Sequence, residues 1–261
     1  MNTWPELTDD AFFSGAIKVL QPRKGYRSGI DAVLLAASLH VQNNKVFKIL
    51  DLGAGVGVSG LSVAIRCPKV SITLVEKQRI LSELAKRNIS RNQFEDRMTV
   101  KQVDLLDVNA IDTLSGSNGR EYFDHVISNP PFYDAHKIMK SKNTLKAESN
   151  SMLRGALKGW VEFMAEATKP GGSATVVHLA ERLGEILQYF ALHFGNINIQ
   201  ILYPRKHEKA SRVLVRGIRG SRAPMHISPG IVLHSNDNAY CPQVERVLRE
   251  PVEWPIWNKL N

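Results

Sequence analysis

Val46-Phe47-Lys48-Ile49-Leu50-Asp51-Leu52-Gly53-Ala54-Gly55-Val56-Gly57 decides the fold. Its first half is a short apolar run suited to a buried strand. Its second half is a glycine-rich turn, and Val58 to Arg66, stopped before Pro68, reads as a helix. Strand, glycine turn and helix make the nucleotide-binding half of a Rossmann-like unit, in which glycines permit a tight turn and close backbone approach to a ligand. Alone, Gly-x-Gly-x-Gly is weak, because strand-to-helix turns often carry glycine, and its spacing is not the dinucleotide fingerprint Gly-x-Gly-x-x-Gly. Asp51, directly before Gly53, Gly55 and Gly57, would repel a pyrophosphate. A carboxylate there suits a cationic ligand such as S-adenosylmethionine, with its ammonium and sulfonium groups.

The next strands agree. Ser71 to Val75 ends in Glu76, a carboxylate placed to accept both hydroxyls of a ribose. Met98 to Val103 ends in Asp104-Leu105, where Asp104 suits an adenine amino group and Leu105 the face of its ring. Each acid alone reads as a solvated loop charge. Three of them at successive strand ends, the first beside the glycine turn, read as one nucleoside site.

Phe123 to Ile127 then runs into Ser128-Asn129-Pro130-Pro131-Phe132. Two prolines cannot continue a ladder or open an ordinary helical turn, so the chain leaves the sheet in a stiff, extended form. That stiffness holds the Asn129 side-chain carbonyl, the Pro130 backbone carbonyl and the Phe132 ring together. Two acceptors beside an aromatic face suit a planar ring bearing an exocyclic NH2. The plainer reading is a rigid turn after a buried strand. Asn129, Pro130 and Phe132 are thus the candidate catalytic residues. Asp51, Gly53, Gly55, Gly57, Glu76, Asp104, Leu105 and Asn129 are the candidate cofactor contacts.

The pattern predicts a helix from Ala32 to His40, helix 58–66, strand 71–76, helix 78–92, strand 98–103 and strand 123–128. Helix 151–168 carries Leu153, Leu157, Trp160, Val161 and Met164 at helical spacing, which makes Trp160 a core residue rather than a base-stacking one. Lys169-Pro170-Gly171-Gly172 stops that helix before strand 173–179. Helix 180–193, strands 196–203 and 211–217, and an edge strand within Gly230 to His234 follow. Seven strands with helices between the first five describe an α/β, Rossmann-like class I methyltransferase fold. Its mostly parallel sheet has helices on both faces and one reversed strand. Residues 1–45 form an N-terminal extension, 46–220 the main domain, and 221–261 a tail packed on it.

Thirty-four basic residues against 25 acidic give a net charge of +9. Lys137, Lys140, Lys142 and Lys146 follow the Asn-Pro-Pro-Phe stretch, with Arg154 and Lys158 beyond. Arg205, Lys206, Lys209, Arg212, Arg216, Arg219 and Arg222 form a second run. A charge run usually marks a solvated face; two in a basic chain, one beside the candidate site, favour RNA. The two cysteines, Cys67 and Cys241, make neither a disulfide framework nor a metal cluster. No apolar run approaches the ~20 residues of a membrane span. The acidic N-terminus lacks a signal peptide's basic and apolar regions, so a cytoplasmic location is expected.

The chain resembles the bacterial valine-tRNA (adenine-37, N6)-methyltransferases, within the small-domain methyltransferase superfamily. The resemblance rests on Gln21-Pro22-Arg23-Lys24-Gly25-Tyr26-Arg27-Ser28-Gly29-Ile30-Asp31 and the Ala-Val-Leu-Leu-Ala that follows. It rests also on residues 51–58, 129–132 and 169–172, and more weakly on 209–215 and 220–224, so it covers nearly the whole chain. It implies S-adenosylmethionine as cofactor, tRNA as partner, N6 of adenine as acceptor, and a part for Gly25 to Asp31 in closing the cofactor pocket. The chain departs from the family at Phe132-Tyr133, where Tyr then Phe is common. Asn-Pro-Pro-Phe also recurs among guanine-N2 RNA methyltransferases. A guanine N2 in ribosomal RNA and a protein glutamine amide therefore remain alternative acceptors. A Rossmann oxidoreductase is opposed by the missing Gly-x-Gly-x-x-Gly. A non-catalytic RNA-binding module leaves the pairing of Asn129 with the cofactor motif unexplained.

Overall fold

The computed structural model describes residues 4–25, 27–41, 46–107, 110–114, 122–131 and 156–257. An antiparallel hairpin, β1 (Leu7–Phe12) and β2 (Ile17–Pro22), leads to helix α1 (Ile30–Ala37). Then come β3 (Phe47–Leu52), α2 (Val58–Arg66), β4 (Val70–Glu76), α3 (Arg79–Arg91), β5 (Met98–Gln102) and β6 (Phe123–Ser128). The second half contains α4 (Ala156–Ala167), β7 (Thr168–Leu179), α5 (Leu183–Phe190), β8 (Phe194–Tyr203) and β9 (Arg212–Arg219). Two short strands, β10 (His226–Ile227) and β11 (Ile231–Val232), and helix α6 (Pro242–Arg249) close the described chain.

The main sheet runs β10-β8-β9-β7-β6-β3-β4-β5, with β11 also on β8. Its seven long strands are the expected ones. The reversed strand is β9, antiparallel to both β7 and β8. The strands β3, β4 and β6 are buried on both faces, so their sequences read as apolar runs rather than alternations. Ile49, Ile72 and Leu74 face α1, α2, α3 and α6; Leu50, Leu52, Val75 and Val126 face α4 and α5. The chain moves from β3 outward to β4 and β5, then returns to the other side of β3 as β6. That reversal leaves a crevice at the carboxyl ends of β3 and β6, where an open α/β sheet takes its ligand.

Several local expectations are corrected. Lys169 to Gly172 does not separate helix from strand, because β7 already begins at Thr168, opposite Phe123. The register then jumps, and the next pair is His125 with Ser173. Pro170 has no N–H for a ladder, and Gly171 turns at φ +76, so the stretch bulges instead of stopping. Helix 180–193 is a 3-10 turn, Ala180–Arg182, followed by α5. Of helix 151–168, residues 151–155 lie outside the described residues.

Besides the short β10, two elements were not foreseen. One is α6, which opens on Pro242 and buries Val244 and Val247 against α1. Beyond it, Trp254 N donates to Ala37 O and Trp257 Nε1 to Ser38 O, both at 2.7 Å. The other is the hairpin. Its β2 edge is bonded not by a strand but by two side-chain amides one turn apart at the end of α3, Asn88 within it and Asn92 capping it. Asn92 exchanges bonds with Lys18 N and O (3.0 and 2.9 Å), and Asn88 with Leu20 N and O (2.8 and 3.1 Å). Both amides use the acceptor and donor that a neighbouring backbone would offer.

Candidate active site

All three glycines of the turn have positive φ: +67 at Gly53, +57 at Gly55 and +93 at Gly57. A side chain would be strained at each. Gly60, in the first turn of α2, permits a second close approach: a Cβ there would lie 2.5 Å from Leu74 Cδ2. The helix therefore sits low on the sheet and its Gly60 amide reaches Asp51.

Asp51 is 1% exposed, and its Oδ2 accepts Gly60 N at 3.0 Å. Burial pushes its carboxyl up to about 7 against the opposing pull of that amide, and Glu76 adds to the rise. The structure therefore puts Asp51 beneath the turn rather than on its surface. Glu76 is also buried, with Oε2 accepting Gly55 N (2.9 Å) and Oε1 accepting Gln78 N (2.8 Å). Its carboxyl is raised by burial and lowered by those amides. Asn88 fixes the far side of the turn by donating Nδ2 to Val56 O at 3.0 Å. The amide that holds β2 thus also holds the glycine turn.

Asp104 stands on the next strand end. Its Oδ1 accepts Leu106 N at 3.1 Å, Lys77 Nζ lies 3.9 Å from Oδ2, and Leu105 beside it is buried. A cavity of about 620 Å³ opens there, between Lys77, Gln102, Asp104, Asp107 and Thr113. Asn129 follows β6, whose last residue, Ser128, pairs with Leu52 directly before Gly53. The Asn129 Oδ1 is buried and accepts no hydrogen bond among the described residues. Pro130 is buried. Phe132 and the lysines from Lys137 to Lys146 lie outside the described residues.

Sequence reasoning missed the connection between these parts. Trp160 is half-buried against the α4 face of the core, as its spacing implies, but its outer edge reaches the site. Its Nε1 donates to Ser128 Oγ at 2.8 Å, and that hydroxyl donates to Leu52 O at 2.8 Å. A Cβ on Gly53 would lie 2.8 Å from Trp160 Cζ2. No feature of the helical periodicity separates Trp160 from Leu157, Val161 and Met164, so nothing local marked it.

The second basic run is not one surface. Because β9 is reversed, it carries Arg212 at the site end, opposite Leu179, and Arg219 at the far end, opposite Phe194. Arg212 bonds Asp31 at 2.9 Å, which ties the start of α1 to the carboxyl edge of the sheet. Ser28 N on Gln21 Oε1 (2.8 Å) and Arg27 on Asp10 (2.6 Å) brace the same segment.

The methyltransferase small domain family matches residues 29–178. A tRNA1(Val) (adenine(37)-N6)-methyltransferase of Porphyromonas gingivalis is 26% identical over 252 residues, covering 94% of this chain and 95% of that one. A relative of the same name from Shewanella putrefaciens is 27% identical over 200 residues, with 76% and 74% covered. Among solved structures, an Agrobacterium tumefaciens protein described as a predicted O-methyltransferase superposes with a TM-score of 0.69 at 27% identity. It covers 85% of this chain and 97% of its own. The cofactor of class I methyltransferases is S-adenosylmethionine. The donor set here fits it: two buried carboxylates at a three-glycine turn, a third acid one strand away and an orphaned amide oxygen across the crevice. The chain belongs to the methyltransferase small domain family.

Proposed function

We propose that this enzyme methylates the exocyclic N6 of an adenine in tRNA, at position 37 of a valine tRNA. The observation that carries the reading is the buried, unbonded Oδ1 of Asn129 at the carboxyl end of β6. A buried acceptor without a donor costs about 1–3 kcal/mol, and an incoming NH2 group removes that cost. The names of the Porphyromonas and Shewanella relatives support adenine as the base and tRNA as the carrier. The net charge of +9 supports a nucleic-acid partner.

In this reading bound S-adenosylmethionine supplies a methyl group on a positively charged sulfur. Glu76 and Asp104 would hold its nucleoside part, and Asp51 braces the turn from beneath through Gly60 N. Asn129 Oδ1 and the Pro130 carbonyl accept the two amino protons and direct the nitrogen lone pair into the crevice. Positioning of this kind is worth several kcal/mol. Phe132 stacks on the unstacked base, worth ~1–3 kcal/mol. No side chain need act as general base, since the N-methylated cation is acidic and loses its proton to water. Residues 1–45 belong to the pocket in this scheme, because Asn88 joins the hairpin to Val56.

Nucleoside mass spectrometry on tRNA from cells with and without the protein tests the reading. N6-methyladenosine dependent on the protein is expected. N2-methylguanosine in its place, or protein-dependent methylglutamine in a parallel protein digest with the tRNA unchanged, would overturn the adenine assignment.

A further inference from the structure

A second polar cavity, of about 250 Å³, lies at the opposite end of the sheet, around the first residues of β3, β6 and β7. Asp124 to Asn129 spans five residues of strand, so it stands roughly 17 Å from the methyl-transfer crevice. Arg216, Lys169 and His40 line it, and Asp124 is the one carboxylate among its lining residues.

That carboxylate is fully engaged. Its Oδ1 pairs with Lys169, and its Oδ2 accepts Lys48 N at 2.9 Å. His125 is engaged too: it bonds Ser173 Oγ and the His40 backbone, and so forms a fixed wall. The carbonyls that end α1 are taken by Arg66, Trp254 and Trp257. Arg216 remains. It sits within β9, between β7 and β8, half-buried, and its guanidinium makes no hydrogen bond or ion pair among the described residues. Glu253 supports its charge without pairing with it, since that carboxylate is held by His40 at 2.9 Å and by Arg66 at 3.7 Å. The planar fork of an arginine matches tetrahedral oxyanions.

We propose that this cavity is an anion site, which takes a phosphate group on Arg216 and Lys169, remote from the methyl-transfer crevice. Two sources share that chemistry: a free phosphate compound, and a backbone phosphate of bound RNA. The unpaired guanidinium suits a negatively charged guest from either source. The site is separate from the one proposed for adenine, and its occupancy does not depend on that reading.

The test is titration of the full chain with inorganic phosphate at constant ionic strength, read by calorimetry and by the Arg216 side-chain 15N signal. Saturable binding that shifts this signal is expected, and Arg216→Gln should weaken it by about tenfold or more. S-adenosylhomocysteine binding should be unchanged. Should Arg216→Gln not fold, Arg216→Lys, which keeps the charge and loses the fork, should still bind phosphate more weakly than the wild type. A tRNA affinity that falls in parallel identifies RNA as the source; an unchanged tRNA affinity identifies a free phosphate compound. A signal indifferent to phosphate in the wild type, or equal phosphate affinity in Arg216→Gln, overturns the proposal.

Discussion

Trp160 donates its indole N–H to Ser128 Oγ at 2.8 Å, and so one side chain on α4 touches the residue before Asn129 while its ring lies against Gly53. The acceptor motif and the glycine turn come from different strands, and the indole fixes the spacing between them. Trp160→Phe keeps an aromatic ring and removes the indole donor. Melting temperature should fall only slightly, as expected for the loss of one net hydrogen bond of about 1 kcal/mol. Turnover should fall by about tenfold, with KM for RNA little changed. An equal loss of stability and activity would mean that Trp160 only packs.

Asn129→Ala should separate activity from stability in the opposite direction. Truncation removes a buried acceptor that has no partner, so stability should hold or rise, by up to about 1–3 kcal/mol. Turnover should drop by about a hundredfold or more, because the amine loses its alignment. Denaturant unfolding and single-turnover methylation on one preparation read both. A destabilised variant would mean that Asn129 has a structural partner.

Glu76→Ala should weaken S-adenosylhomocysteine binding by roughly 1.5–3 kcal/mol, the range for charge-assisted bonds. It also releases Gly55 N and Gln78 N, which the carboxylate now bonds. Calorimetry should show that loss, and unaltered affinity would remove Glu76 from the cofactor site.

Much of this candidate site was legible because parallel strands announce their ends. Asp51, Glu76, Asp104 and Asn129 each close an apolar run, and a parallel sheet delivers such ends to one edge. The hairpin was not legible. In Thr8-Asp9-Asp10 acids occupy a strand, and Asp9 and Asp10 are held by Arg91 and Arg27, partners far away in sequence. Which end of the second basic run reaches the site depended on β9 being the reversed strand, a topological fact that composition does not carry. Asp51 was read as facing the ligand because the glycines follow it; the low seat of α2, set by Gly60, turns it inward.

Asp51 should also leave a mark on pH dependence. Folded, it holds its proton up to about pH 7, while its ordinary carboxyl value is 3.8. The native state thus binds the extra proton between these values. The Asp51 contribution is complete below the lower value and is lost as pH rises through the upper one. Asp51→Asn has no such slope. The difference in melting temperature should therefore move in favour of the variant between about pH 5 and about pH 8. His125 and His178, both pushed down to about 4 by burial, are common to the two proteins and cancel. A pH-independent difference would show Asp51 ionised throughout.

RNA binding should weaken linearly in log–log terms as salt rises, with ~0.7–0.9 in slope per phosphate contact. Replacing Lys137, Lys140, Lys142 and Lys146 by Ala should flatten that slope and spare S-adenosylhomocysteine binding. Affinity insensitive to salt would exclude an electrostatic footprint.

The two asparagines at the end of α3 have a consequence for the order of assembly. Hairpin β1–β2 closes over a few residues and can form as soon as it is synthesised, yet among the described residues its outer edge finds its partners only at Asn88 and Asn92. Until α3 exists, that edge is an unprotected strand, open to pairing with any other chain. During synthesis the hairpin must wait some seventy residues for its cover, and in the finished protein the Lys18 and Leu20 amides should exchange with solvent when α3 undocks, not when the hairpin opens.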